Sequence, residues 1–94
     1  NAASSGLVYK INQIVCANVN GASAVNATVA INNAAAGAGT NFPVISTVSV
    51  PASASVIAVD KTTAIYLMEN SSIVVTSGTS SGITYTLSYE SIAA

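Results

Sequence analysis

The chain has 94 residues, 51% of them hydrophobic, and its charged residues are two Lys and three Asp or Glu, for a net charge of −1. A typical soluble domain has about 25% charged residues, so Ser, Thr and Asn must supply most of this polar surface, and a net charge near zero favours association. Two distant Lys without any Arg argue against nucleic-acid binding, and no apolar run approaches the roughly 20 residues of a membrane span. We therefore expect one domain, residues 1–94, with neither nucleic acid nor a membrane as partner.

The first predicted strand covers residues 7–19 and follows a short N-terminal arm at 1–6. With Gln13 as an exception, one face is predicted to carry Leu7, Tyr9, Ile11, Val15, Ala17 and Val19. The other face mixes polar and apolar residues: Lys10, Asn12 and Asn18 with Val8, Ile14 and Cys16. Such a strand is expected to cover a core with one face and to meet a neighbour with the other. We predict that it is an edge strand that can pair with another chain.

The second predicted strand, residues 25–32, has the cleanest alternation in the chain. Asn20 and Gly21 before it form a hairpin-type turn signal. The pattern predicts a core-facing set, Val25, Ala27, Val29 and Ile31, and an outward-facing set, Asn26, Thr28, Ala30 and Asn32. A slip of one residue would bury the polar set, so the register should be well specified.

A flexible loop is predicted at residues 33–41, because two glycines and the short length defeat the helix propensity of its alanines. Residues 42–50 are the third predicted strand, at an edge or bulged, since Pro43 cannot donate to a ladder. Pro51 ends it, residues 55–59 are the fourth strand, and residues 60–63 are a turn.

The last three predicted strands are residues 64–68, 73–77 and 83–92. The first two are expected to pair around the turn at 69–72, and a Ser/Gly loop at 77–82 precedes the last strand. In that strand, Ile83, Tyr85, Leu87 and Tyr89 alternate with Thr84, Thr86, Ser88 and Glu90. Seven short strands with this spacing predict an all-β fold, a single antiparallel β-sandwich of the Ig-like or jelly-roll-like kind.

The inventory of reactive side chains argues against an enzyme. Without His, the only dyad left for nucleophilic catalysis is a Ser with Lys10 or Lys61, and Ser is too abundant for its proximity to a Lys to carry information. Asp60, Glu69 and Glu90 could meet at a Ca²⁺ ion, but no loop has the spaced carboxylates of a dedicated site. We predict no catalytic, cofactor-binding or metal-binding residues and no cofactor.

Three further features have alternative interpretations. Cys16 is the single cysteine, interpreted as a small buried hydrophobe, with an intermolecular disulfide or a reactive thiol as the alternative. Asn26 and Asn70 begin glycosylation sequons, which arise readily by chance in so Asn-rich a chain. The tyrosines are interpreted as core residues with their hydroxyls at the rim, or as a stacking face for a sugar or partner: Tyr9, Tyr66, Tyr85 and Tyr89.

Several sequence segments, which together cover most of the chain, resemble those of a known family. They are Leu-Val-Tyr-Lys-Ile-Asn-Gln-Ile-Val-Cys-Ala-Asn at 7–18, Ala-Thr-Val-Ala-Ile at 27–31, Val-Ser-Val-Pro-Ala at 48–52, Ile-Tyr-Leu-Met-Glu-Asn-Ser-Ser-Ile-Val-Val at 65–75 and Leu-Ser-Tyr-Glu-Ser-Ile at 87–92. In this order the chain resembles small virion proteins of tailed phages, especially of marine cyanobacterial phages. It departs from them at Asn70-Ser71, where the family usually has Gly-Asp in a hairpin. The resemblance implies a β-sandwich subunit of the head or tail.

These observations predict a non-enzymatic structural subunit of a phage particle, such as a capsid decoration protein or a tail or fibre component. Its partners would be major capsid or tail proteins and copies of itself, and its location would be the virion. The alternative is a subunit of an extracellular filament, a pilin-like sandwich that accepts a strand from its neighbour. A carbohydrate-binding module is a third class, disfavoured by the absence of Trp.

Overall fold

The computed structural model describes residues 1–60, 62, 64–79 and 82–93. In them the chain forms seven strands and a short 3₁₀ turn at Ala35–Gly37. The strands are β1 (Leu7–Asn18), β2 (Val25–Asn32), β3 (Asn41–Val50), β4 (Ser55–Val59), β5 (Ile65–Leu67), β6 (Ser72–Ser77) and β7 (Ile83–Ala93). They build two antiparallel sheets packed face to face, which confirms the predicted seven-stranded sandwich. None of the described segments is a helix of the length and apolarity needed to cross a membrane.

The two sheets differ in how their strands are arranged. In sheet A, β1 is central, with β7 along one side and β4 and β5 one after the other along the opposite side. In sheet B, β2 is central between β3 and β6. The prediction that the first strand is an edge strand is therefore wrong, because both sides of β1 are hydrogen-bonded.

The core lies between the sheets and is mostly aliphatic. Its buried members are Ile11, Ile14, Cys16, Val25, Ala27, Val29, Val50, Val59, Leu67 and Ile83. β1 and β2 contribute most of them, as expected of the central strand of each sheet. Burial of this apolar surface is the main force that holds the sheets together.

A bulge in β1 changes which of its residues face the core. Ile11 pairs with Tyr89 but Gln13 pairs with Ser88, so one residue of β1 is inserted between two consecutive residues of β7. Beyond the bulge the core-facing residues are even-numbered, and Ile14 and Cys16 are fully buried. The predicted common face for Ile11, Val15, Ala17 and Val19 is therefore wrong beyond the bulge. In the sequence, the bulge is indicated by the polar Gln13, which interrupts the run of apolar residues on one face.

Two predicted hairpins are instead crossings between sheets. β1 and β2 flank Asn20-Gly21 but lie in different sheets, as do β5 and β6 on either side of Asn70. Asn20 Oδ1 accepts hydrogen bonds from the amides of Ala22 and Ser23, which turns the chain toward sheet B. Asn70 adopts a left-handed backbone with φ +54° and makes the second crossing. The same turn chemistry serves hairpins and crossings, so the local signal was ambiguous.

The predicted register of β2 is largely confirmed. Val25, Ala27 and Val29 are buried, and Ile31 is half-buried against the core. Asn26 is exposed and Thr28 is half-buried. The expectation that Ala30 and Asn32 face outward to solvent is wrong, since both are buried, and Asn32 is only 1% exposed.

The third strand has the predicted edge position and irregularity. Among the described strands β3 pairs only with β2, and its register shifts on either side of Val29. Thr47 has a positive φ of 53° within the strand, and Pro43 lies near its beginning. β3 is thus an edge whose irregular backbone disfavours pairing with a further strand.

Candidate functional site

Lys10, one of the two lysines considered for a Ser–Lys dyad, lies on the outer face of sheet A. Its cross-strand neighbours are Tyr66 on β5 and Glu90 on β7. Lys61 lies outside the described residues, so the dyad that would use it stays untested. The register gives Lys10 a carboxylate neighbour of opposite charge, an arrangement that stabilises paired strands modestly.

The three carboxylates considered for a metal site lie on three different segments. Asp60 follows β4 and accepts hydrogen bonds from the amide and hydroxyl of Thr62. Glu69 follows β5 and accepts one from the Gly6 amide, and Glu90 on β7 accepts one from the Asn12 side chain. Within the described part of the chain, no three His, Cys, Asp or Glu side chains are grouped so that they could hold a metal ion.

Cys16 has the predicted buried position in β1, with no exposed surface. Burial also raises the pKa of its thiol, because the low-dielectric core penalises the thiolate. The thiolate is the reactive form of cysteine. The location therefore disfavours both alternatives, an intermolecular disulfide and a reactive thiol.

This burial predicts slow modification of Cys16 by a thiol reagent in the native protein. The rate should be about a hundredfold or more below that of the unfolded chain, because reaction requires an opening of the core. With a reagent that releases a chromophore when it reacts with the thiol, absorbance follows the reaction in the presence and in the absence of urea. Equal rates in the two conditions would contradict the burial.

The raised pKa of the Cys16 thiol also predicts that the stability of the fold falls as pH rises above the ordinary thiol value of 9.0, because the thiol of the unfolded chain releases its proton at lower pH than the buried thiol does.

The two sequon asparagines have different structural roles. Asn26 is an exposed residue of β2. Asn70 is exposed at the crossing from β5 to β6, and its Oδ1 accepts a hydrogen bond from the amide of Ala35 at 3.1 Å. Asn70 therefore holds the crossing against the Ala35–Gly37 turn.

The four tyrosines do not share one face. Tyr9 and Tyr85 pack against the core, and the Tyr85 hydroxyl donates a 2.6 Å hydrogen bond to the Thr76 carbonyl at the rim, as the core interpretation predicts. Tyr89 is exposed beside Tyr9, with ring centroids 5.3 Å apart in an edge-to-face arrangement. Tyr66 lies on the opposite, outer face of sheet A. A single stacking face of all four rings is therefore not formed.

The loop at 33–41 is organised around Asn32, which is buried although its position in the alternation of β2 predicts exposure. Its Nδ2 donates to the Gly39 carbonyl and to Asn41 Oδ1, and its Oδ1 accepts from the amides of Ala34 and Gly39. A Cβ at Gly39 would collide with Asn33 Oδ1 and crowd Asn32 Oδ1, so a larger residue there would require these side chains to shift. In the sequence, such a loop is indicated by an asparagine that precedes a glycine-rich segment. The flexibility of residues 33–41 stays a prediction, although the loop has many hydrogen bonds.

Sheet A, which has four strands, presents an outer face that points away from the core. Across it, Val15 lies beside Ile57 and Thr86, and Val8 lies beside Ile92. Ile57, Tyr66 and Ile92 are exposed there. Among the described residues of its four strands, the charged side chains on this face are the neighbours Lys10 and Glu90, of opposite sign. The face is thus apolar and hydroxyl-bearing, without net charge.

The described part of the chain contains no pocket. Its candidate sites are therefore surfaces: the outer face of sheet A and the free edges of the two sheets. Comparison with protein-family models, with curated proteins and with solved structures finds no match for this chain.

Proposed function

We propose that this protein is a non-enzymatic structural subunit of a virus particle, a capsid decoration protein or a tail or fibre component, which acts through protein–protein contacts. The observation that carries the proposal is the outer face of sheet A. It exposes Ile57, Tyr66 and Ile92 among Ser and Thr, with one pair of opposite charges. Apolar residues that gather on one surface mark sites of interaction.

The chemistry of this face favours contacts that need no ion pairs. The hydroxyl groups of Thr84 and Thr86 on β7 lie beside Ala17 and Val15 of β1, and Ser88 lies beside Gln13. A neighbour would bury the apolar groups and satisfy the hydroxyls with hydrogen bonds, as in the core of known interfaces. Since Lys10 and Glu90 offset each other, long-range repulsion between copies would be small.

The choice of a virus particle follows from the resemblance. The segments by which the chain resembles tailed-phage virion proteins fall on β1, β2, β3, β5, β6 and β7, in both sheets. One of them, residues 65–75, spans the crossing from β5 to β6, where Asn70-Ser71 departs from the usual Gly-Asp. The likeness therefore supports a shared sandwich plan, with a local difference at this crossing.

Sedimentation of the purified chain tests assembly through uncharged contacts. We expect the mean mass to rise with protein concentration and to stay the same or increase when salt is raised, because salt weakens ion pairs and strengthens apolar contacts. A dispersed monomer at high concentration, or dissociation by moderate salt alone, would contradict the proposal.

Gene neighbourhood separates the virion from the filament alternative. Capsid and portal genes beside this gene support the virion. Secretion and filament-assembly genes beside it would instead support the pilin-like subunit.

A further inference from the structure

The free edges of the two sheets are unequally protected against pairing with another chain. β3 has Pro43 and a shifted register, and β4, β5 and β6 have only 5, 3 and 6 residues. β7 has 11 residues, no proline and a single charge at Glu90. Within the described part of the chain β7 pairs only with β1. Long edges without proline, lysine or a bulge are those that accept another strand.

The core-facing side of β7 is incompletely covered. Leu87 pairs with Ile14 and Tyr89 pairs with Ile11, so both side chains lie on the core side of sheet A. Leu87 is nevertheless 38% exposed and Tyr89 55% exposed. On β6, Val75 pairs with the buried Val29 but is 42% exposed. The sandwich therefore leaves apolar side chains uncovered along the margin of β6 and β7.

We propose that β7 pairs in antiparallel fashion with β7 of a second copy of this chain, about a two-fold axis at Ser88. The two copies of sheet A then form one continuous sheet across the axis. This inference rests on the proposed assembly function and deepens it, because it names the partner and the contacting strand.

The register follows from the length and charge of β7. An axis at Ser88 is the symmetric choice that pairs all 11 residues, Ile83 opposite Ala93 and so on inward. It would form about one backbone hydrogen bond for each residue pair. An axis at Glu90 would oppose two carboxylates, which is destabilising, whereas the axis at Ser88 opposes Glu90 with Thr86.

The same register also covers the exposed core-side residues. Leu87 of each copy lies opposite Tyr89 of the other, and an aliphatic–aromatic pair of this kind stabilises adjacent strands. An isologous contact uses the same strand in both copies and closes at two. The outer face of sheet A then stays open to a different neighbour.

Disulfide formation by single cysteines tests the register. In the Ser88→Cys variant the two new thiols meet at the axis, within the roughly 4.4–6.8 Å Cα separation that a disulfide spans, and mild oxidation should link most chains as dimers. Thr84→Cys is the matched control on the same face of β7. Its two copies would be about 27 Å apart, eight residues along the strand, and should stay unlinked. The unmodified chain, with only the buried Cys16, should also stay unlinked.

A mixture of two variants gives an independent readout should Ser88→Cys fail to fold. Thr86→Cys and Glu90→Cys chains should cross-link with each other when mixed, and neither should cross-link alone. Equal linkage at positions 84 and 88, or no linkage at 88 and in the mixture by folded variants, overturns the β7 pairing. If the unmodified chain still self-associates in sedimentation, only the pairing fails and the proposed assembly function stands. If it is also dispersed at high concentration, the proposed function fails as well.

Discussion

Replacement of Val29 by Asp is expected to abolish folding. Val29 is fully buried in β2, between the two sheets. A carboxylate there would have to lose its hydration without a cationic partner, at a cost on the order of 5 kcal/mol or more. The whole stability of a domain of this size is about 5–15 kcal/mol. Circular dichroism should show loss of the strand spectrum, and urea unfolding should show no cooperative transition.

Asn26→Asp is the matched control for this change. It introduces the same carboxylate into the same strand, but on an exposed side chain. The free energy of unfolding should change by less than about 0.5 kcal/mol. Equal tolerance of the two substitutions would refute the register of β2 and, with it, the position of the core.

Asn32→Ala is expected to destabilise the protein by about 2–5 kcal/mol, because it removes a buried side chain that makes four hydrogen bonds. The amides of Ala34 and Gly39 would lose their acceptor, and the Gly39 carbonyl would lose a donor. The midpoint of urea unfolding, followed by circular dichroism, measures the loss. Amide hydrogen exchange should also become faster across residues 33–41.

Asn33→Ala provides the comparison. The neighbouring asparagine is exposed, and its Oδ1 accepts one hydrogen bond, from the Thr40 amide. Its removal should cost no more than about 1 kcal/mol. A loss at Asn33 as large as that at Asn32 would show that the loop does not depend on the buried amide.

Strand positions were predictable because the alternation of apolar residues is a local property. β2 and β4 have the predicted bounds, Val25–Asn32 and Ser55–Val59. Strand partners were harder, since pairing joins residues far apart in sequence. Asn20 and Asn70 mark turns in both cases, but nothing local distinguishes a return within one sheet from a crossing to the other.

The burial of two asparagines was also not predictable from the sequence. Asn18 and Asn32 are both buried, although asparagine is usually exposed. Asn18 donates to the carbonyls of Ser23 and Val50, and Asn32 bonds its own loop. In each case nearby backbone groups satisfy the amide, which removes the cost of burial. Of the outer face of sheet A, the sequence predicts only that β1 has a second, partly apolar face that meets a neighbour.

The proposed function places this chain in a virus particle. Its most direct test is an electron cryomicroscopy map of intact particles purified from the source of the gene, supported by mass spectrometry of their proteins. We expect the chain among the particle proteins, and a sandwich of its size at the head surface or tail, with the outer face of sheet A or β7 against a neighbour. Purified particles that lack the chain, while it is found in extracellular filaments or free in solution, would contradict the account.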